Sequence, residues 1–278
     1  MLDTLVSLLA ILFFAFVLLA PLRHKWMQMQ RLRAIRRIQR QRNTRVITLI
    51  HRQERLSLLG IPILRFIDIE DAEKVLRAIR LTPPDSAIDF IIHTPGGMAL
   101  PAQQIAYALK QHSAPVTVIV PHYAMSGGSL IALAADEILA DPNAVLGPVD
   151  PQVQTKDQSW PASSVLAVLS RKSASELEDT TLMLADTAAK AVRQLRDFVR
   201  YLLADTQGTE RAEALAAALT DGRWTHDFPL TVPVLKEMGL PIRPEMPPEV
   251  YELMDLYPQR TERGPAVQYT PTSGRNSR

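Results

Sequence analysis

Two glycine turns carry the residue types that could do chemistry. The first, His93-Thr94-Pro95-Gly96-Gly97-Met98, follows the apolar run of residues 88–92, and the second, Ala124-Met125-Ser126-Gly127-Gly128, follows that of residues 116–120. Each joins a strand-like segment to a helix-like one through residues without bulk. The first offers backbone N–H groups, and the second places a serine at the mouth of a helix. Amides aimed at a developing negative charge form an oxyanion hole, and a serine hydroxyl becomes a nucleophile once a base takes its proton. Together the turns point to a serine hydrolase, with Ser126 as nucleophile and the N–H groups of Gly97 and Gly127 as oxyanion hole, Met98 being a further donor. Each feature also has a plainer reading. Serine caps helices well, and Pro95-Gly96-Gly97 suits an ordinary strand-to-helix turn. Ser129 is a competing hydroxyl, but it falls inside the helix.

The base is less clear. No histidine occurs between His122 and His226. His93 and His122 flank the two turns, where either could line the pocket. Asp150 sits between Pro148 and Pro151 and either orders its loop or orients a base. His226, after Trp224-Thr225, looks structural. Lys156, Lys172 and Lys190 follow the serine, and a lysine serves as base only where burial or nearby charge lowers its pKa toward neutrality. No histidine–carboxylate cluster has metal-ligand spacing, so neither metal nor other cofactor is expected. The chain has no cysteine, which excludes disulfides, thiolate metal sites and a cysteine nucleophile.

The elements that must position these residues follow from hydrophobic periodicity. Residues 45–51, 88–92, 116–120 and 137–140 read as buried strands, and 61–67 as a further apolar piece. Helices are expected over 68–80, capped by Asp68 or Asp71, over 101–112, over 130–135, over 176–204, over 211–219 and over 233–238. Residues 148–163 look like loop. Strand alternating with helix, with strands apolar on both faces, predicts an α/β fold with a parallel sheet covered by helices. Ligands in such folds sit beyond the carboxyl ends of the strands, where both glycine turns lie.

The 278-residue chain carries a formal net charge of +2, which conceals a strongly basic start. Residues 5–20 are almost unbroken hydrocarbon and, with their flanks, approach the roughly 20 residues of a spanning helix. Only Asp3 precedes them, so a cleaved signal peptide, which wants a leading positive charge, is disfavoured. Arg23, Lys25, Arg31, Arg33, Arg36, Arg37, Arg40, Arg42 and Arg45 follow. The positive flank places the N-terminus outside and the rest of the chain in the cytoplasm, on the inner (plasma) membrane. The expected organisation is an anchor over 1–22, a basic juxtamembrane helix over 23–44, a catalytic domain over 45–257 and a disordered tail over 258–278. The basic helix either meets anionic lipid or is a solvated spacer. With a membrane so near, nucleic acid is not an expected partner.

The two glycine turns, together with Ala132-Leu133-Ala134-Ala135-Asp136-Glu137-Ile138, Leu146-Gly147-Pro148-Val149-Asp150-Pro151-Gln152 and Asp221-Gly222-Arg223-Trp224-Thr225-His226, resemble the serine dehydrogenase proteinase family. This is a membrane-anchored branch of the Clp protease/crotonase-fold peptidases, related to signal-peptide peptidase A. The resemblance implies a crotonase-like spiral of ββα units, Ser126 as nucleophile, a homo-oligomer, and peptides or membrane proteins as substrates. Where Clp proteases carry a histidine beyond the serine, this chain has Gly147-Pro148-Val149-Asp150-Pro151. Lys172, placed ahead of the long helix, is similar in position to the catalytic lysine of signal-peptide peptidase A, which implies a Ser126/Lys172 dyad. A non-catalytic membrane scaffold and an acyl-CoA enzyme, its two amide turns holding an enolate, are the alternatives.

Overall fold

The computed structural model describes residue 22 and residues 25–51, 65–155 and 158–257. The expected anchor (residue 22 apart), the tail over 258–278, the apolar piece over 61–64 and Lys156 lie outside the described residues. Among the described residues no helix is long and apolar enough to cross a membrane.

In chain order the elements begin with helix α1 (residues 25–42). Strand β1 (Arg45–Ile50), α2 (Ile69–Arg80), β2 (Ile88–His93), α3 (Ala99–Lys110), β3 (Val116–Val120), β4 (Tyr123–Ala124) and α4 (Gly127–Ala132) follow. Next come β5 (Glu137–Ala140), β6 (Val145–Leu146), the hairpin strands β7 (Gln152–Gln154) and β8 (Ser159–Pro161), α5 (Ala162–Leu169), the long α6 (Asp179–Gln207) and α7 (Thr209–Thr220). Strand β9 (Leu230–Thr231), α8 (Val232–Met238), β10 (Ile242–Arg243) and α9 (Pro248–Asp255) complete the described chain.

Five strands form one parallel sheet in the order β1-β2-β3-β5-β10, and β4-β6-β9 form a second, smaller sheet. Consecutive pairs β3/β4 and β5/β6 each put one strand in the large sheet and the next in the small one. The result is a mixed α/β fold in which the chain steps between two sheets before each return.

All six residues of β2 are buried. Strand alternation sends Ile88, Phe90 and Ile92 to one core, with α2, α3 and α4, and Ile91 to the other, with Ile119, Leu139 and residues of α1 and α9. Burial on both faces explains the near-continuous apolar runs. Helix α2 starts with a reciprocal capping box: Asp71 N–H donates to Asp68, and Asp68 N–H donates to Asp71. Both aspartates suggested by the sequence thus take part.

Helix α1 is docked on the domain. Ile38 is buried against Val250, Leu253 and Met254 of α9. Arg42 binds the buried Asp89 of β2 at 2.5 Å, where Thr44 Oγ1 also donates at 2.7 Å. Three expectations change. Residues 148–163 are not loop throughout, because they contain the β7–β8 hairpin and the start of α5. The long helix begins at Asp179, later than the stripe suggested, and α9 is an added element that covers the second face of the sheet.

Candidate active site

The two glycine turns lie side by side. Thr94 and Ala124 form an isolated parallel bridge: Thr94 N–H donates to Tyr123 O at 3.2 Å, and Met125 N–H donates to Thr94 O at 3.0 Å. A Cβ at Gly96 would lie 2.9 Å from both Met125 O and Ser126 Cβ, so only glycine permits this approach. Gly97 is pressed against Ile67, whose backbone N would be 2.3 Å from an added Cβ. Ile67 N–H donates to Gly96 O and Met98 N–H donates to Ile67 O, at 2.8 and 2.9 Å. The Met98 amide is therefore spent on this bridge, which corrects its expected role as an oxyanion donor. Met98 instead lines the cavity described below. Among the described residues the amides of Gly97 and Gly127 have no backbone carbonyl acceptor. A Cβ at Gly127 would lie 3.7 Å from Gly97 N, so the two amides border one small space.

Ser126 stands beside that space in a strained conformation, with φ 49° and ψ −114°. Asn43 is the other non-glycine residue at positive φ among those described. Such a backbone costs about 1–3 kcal/mol and persists only where its surroundings enforce it. It is the strain found where a sharp strand-to-helix turn presents a nucleophile. The helix-cap reading fails, because the Ser126 hydroxyl makes no capping hydrogen bond. Ser129, by contrast, is buried. Its hydroxyl donates to Ala124 O at 2.6 Å and accepts from Gly147 N–H at 2.9 Å, which ties α4 to both β4 and the end of β6.

Ser126 and Gly127 line a cavity of about 1110 Å³. Its walls include Phe66, Met98, Tyr107, Leu130, Val149, Phe198 and Tyr201, with Asp150, Gln152 and His226 among the polar groups. The chain leaving β6 passes the serine closely, since a Cβ at Gly147 would lie 3.3 Å from Ser126 N. Val149 N–H donates to Leu219 O at 2.9 Å, fastening this segment to α7. The loop after α7 carries His226, whose Nδ1 lies 2.8 Å from Oδ1 of the buried Asp150. Gln152 Nε2 donates to Asp150 Oδ2 at 2.7 Å. The hydrogen bond to Asp150 holds the His226 pKa above its ordinary value. Burial opposes this, and the charges of Asp150 and Asp227 add to it.

A second histidine–carboxylate pair supports the first turn from behind. His51 is buried, with Nε2 3.0 Å from Asp71 Oδ2 and Nδ1 3.0 Å from Thr94 Oγ1. Thr94 Oγ1 in turn accepts from Gly96 N–H at 3.2 Å. A carboxylate only accepts, so His51 Nε2 donates to Asp71; with the ring neutral, Nδ1 accepts from Thr94 Oγ1, whose one proton is also within reach of Gly96 O at 3.3 Å. Desolvation lowers the His51 pKa, against the pull of Asp71, so the neutral ring is favoured.

The remaining expected residues lie elsewhere. His93 is buried at the end of β2, its ring 4.3 Å from that of Tyr123 and 5.6 Å from that of the exposed His122. Neither histidine lines the Ser126 cavity. Strand alternation turns His93 away, which corrects the expectation that proximity in sequence would bring the two histidines to the site. Gly96 acts through its contact with the Met125–Ser126 backbone. Lys172 is exposed just beyond α5 and is not part of the cavity wall, and Lys190 pairs with Asp186 on the outer side of α6. His226 was missed by sequence reasoning. Its signal was faint: a polar Asp-Gly-Arg-Trp-Thr-His loop between two helices, far along the chain from the serine.

The sequence pattern of the ClpP-like SDH-type serine proteinases matches residues 1–278. The chain belongs to this family of serine peptidases, and its mixed α/β fold is ClpP-like. It is 58% identical over 243 residues to the protein MJ1495 of Methanocaldococcus jannaschii, covering 87% of this chain and 82% of that one. It is 52% identical over 266 residues to MJ0137 of the same organism, covering 95% and 92%. Among solved structures it is similar to a mutant of the membrane-bound stomatin-specific protease 1510-N, with a TM-score of 0.46 and 19% identity over 68% of this chain and 79% of that one. It is also similar to ClpP1 from Listeria monocytogenes, with a TM-score of 0.44 and 21% identity over 73% and 91%.

Proposed function

We propose that this protein is a membrane-anchored serine peptidase that cleaves peptide bonds through Ser126. One observation carries the reading: a strained serine that makes no cap stands beside the Gly97 and Gly127 amides, which have no backbone carbonyl acceptor among the described residues, at the wall of a cavity large enough for a peptide segment. The hydroxyl oxygen attacks the scissile carbonyl, and the carbonyl oxygen gathers negative charge between the two N–H groups. The acyl-enzyme is then released by water. A Ser126/Lys172 dyad requires the segment after α5, or a neighbouring copy of the chain, to carry the amine to the cavity, because Lys172 is exposed outside its wall.

The apolar run over residues 5–20 supports anchoring in the inner membrane, with the peptidase domain in the cytoplasm. On α1, Arg31, Arg37 and Arg42 are engaged with the domain, while Arg33, Arg36 and Arg40 are exposed at spacings that share one helix face. That stripe suits anionic headgroups. Exposed Trp160, Leu169, Leu182 and Met183 on the unit formed by β7, β8, α5 and the start of α6 suit a contact between copies in a homo-oligomer. Peptides or membrane proteins are the substrates, and nucleic acid has no part in this reading.

The test is labelling of the full chain in detergent by a fluorophosphonate. The intact protein is modified at Ser126 and Ser126→Ala is not; equal labelling of both removes the assignment. Recovery of the full chain, but not of a chain lacking residues 1–22, in alkali-washed membranes checks the anchor.

A further inference from the structure

We infer that α1 lies flat on an anionic bilayer along its outer face and holds the Ser126 cavity on the far side of the parallel sheet. The segments cleaved are then those that reach the cavity from the aqueous side. The inference rests on the proposed membrane anchor and deepens it.

Helix α1 uses two opposite faces. On the inner one, Ile38 is buried against α9, Arg31 Nε donates to Leu256 O at 2.9 Å, Arg37 pairs with Glu252 at 2.8 Å, and Arg42 pairs with Asp89. Fastened at these points along its length, α1 moves with the domain and is not a loose stalk. On the outer face, Trp26, Met29, Arg33, Arg36 and Arg40 follow one another at alternating three- and four-residue steps, and all five are exposed. No acidic residue occurs from Thr4 to Gln53, so this face carries no carboxylate of its own.

An apolar start followed by three guanidinium groups suits a lipid surface. Helices of this kind sink their apolar side chains about 5–10 Å into the headgroup boundary, while their arginines meet phosphates. Arg33, Arg36, Gln39 and Arg40 line a depression of about 430 Å³, where a guanidinium fork can hold phosphate oxygens in pairs. The apolar run over residues 5–20 ends just before α1, separated from it by residues 21–24 alone. A second copy fits this face less well, because two arginine stripes repel.

The sheet then fixes where the cavity stands. Ile91 of β2 shares a core with Ile38 of α1, whereas Phe90 and Ile92 share the other core with Ile105 of α3 and Leu130 of α4. The cavity takes its walls from that second side, through Tyr107 of α3, Leu130 of α4 and Phe198 of α6. A bilayer on the outer face of α1 is therefore separated from the cavity by a helix and a sheet, roughly 20 Å of protein. A segment still inside the hydrocarbon is out of reach of Ser126. The exposed Phe66, Ile69, Met98 and Leu100 offer a rival lipid contact, but Asp68 and Glu70 are exposed among them and repel anionic headgroups.

The chain has no cysteine, so an introduced one is its sole thiol. The experiment places a spin label on Trp26→Cys, Met29→Cys, Arg36→Cys or Leu100→Cys of the full chain. Each is reconstituted in phosphatidylcholine vesicles containing phosphatidylglycerol, and its relaxation by oxygen and by a water-soluble nickel chelate is compared. The labels replacing Trp26 and Met29 are expected to favour oxygen, at a depth of about 5–10 Å. The label replacing Arg36 should sit at the headgroups, and the one replacing Leu100 should favour nickel. Changing Arg33, Arg36 and Arg40 together to glutamine in the Met29→Cys chain should lower the ratio of surface-held to water-exposed label by about fivefold per arginine. Trp26 and Met29 report independently, so loss of one variant to misfolding leaves the test standing. Nickel access at both of these positions, or oxygen access at Leu100, overturns the inference while retention in alkali-washed membranes keeps the anchor. Dipolar broadening at Met29 that disappears on dilution with unlabelled chain puts a second copy on this face and likewise overturns it. Release of the full chain by alkali overturns the anchor itself.

Discussion

Two histidine–carboxylate pairs flank the same serine, and they differ in what they leave free. His51 is buried and occupied at both ring nitrogens, by Thr94 and Asp71. His226 is half-buried and bonded to Asp150 through Nδ1, on the wall of the cavity. Burial wins at His51 and lowers its pKa, whereas at His226 the hydrogen bond to Asp150 wins and raises it. The first pair is a brace for the Gly96–Gly97 turn. The second stands on the wall of the cavity that Ser126 also lines. A carboxylate beside an imidazole thus does not define a role; the second nitrogen and its access to the cavity do.

Removing the hydroxyl sets the scale for both pairs. Ser126→Gly should abolish peptide hydrolysis, by at least about 10³-fold. The same change should raise unfolding free energy by about 1 kcal/mol, because glycine accepts φ 49° without strain. Loss of stability instead would mean the serine backbone is not under strain.

A crossed measurement of activity and denaturation then tests the contrast itself. His226→Gln should lower kcat/KM about 100-fold, while its denaturation midpoint stays close to the parent's. His51→Gln should cost about 2 kcal/mol of stability through a broken buried network. Its loss of kcat/KM should be the smaller of the two. Equal losses of both quantities in both variants would erase the distinction.

Thr94→Val should cost about 1–3 kcal/mol by leaving buried partners unsatisfied at Gly96 and His51, read by urea denaturation. A neutral result would show that the brace carries no load.

The smallest effect is a difference in pH dependence. For His51 the folded pKa lies below 6.5, so between that value and 6.5 the unfolded chain binds more protons. Its stabilisation is present above pH 6.5 and is lost as pH falls through the folded pKa. For His226 the folded pKa lies above 6.5. Its stabilisation is complete below 6.5 and disappears as pH rises through the folded value. Denaturation of the parent and of each glutamine variant across pH 5 to 8 should show differences of opposite slope.

The parts legible in the sequence were local ones. Alternating apolar residues marked β2 and β3, and Asp68 three residues before Asp71 marked the start of α2. Glycines between strand and helix marked both turns. The β7–β8 hairpin was hidden because Pro148 and Pro151 suggest loop, and its pairing spans polar residues with little alternation. Helix α9 was hidden because its apolar stripe is short and acquires meaning only against Ile38 of α1 and Ile91 of β2. His93 and His122 neighbour the two turns in sequence but not the cavity wall, because nearness along the chain does not fix the side to which a strand sends a side chain.

The sequence by itself determined that buried parallel strands would end in turns without side-chain bulk, and that Ser126 would stand at one of them. These are consequences of period-two burial and of the room that glycine leaves. Only the tertiary structure decided that the Gly97 and Gly127 amides share a space, that Ser126 is strained rather than capping, and that Asp150 meets His226. Each of these depends on long-range backbone pairing, Thr94 with Ala124 and Val149 with Leu219, which carries no signature in either partner segment alone.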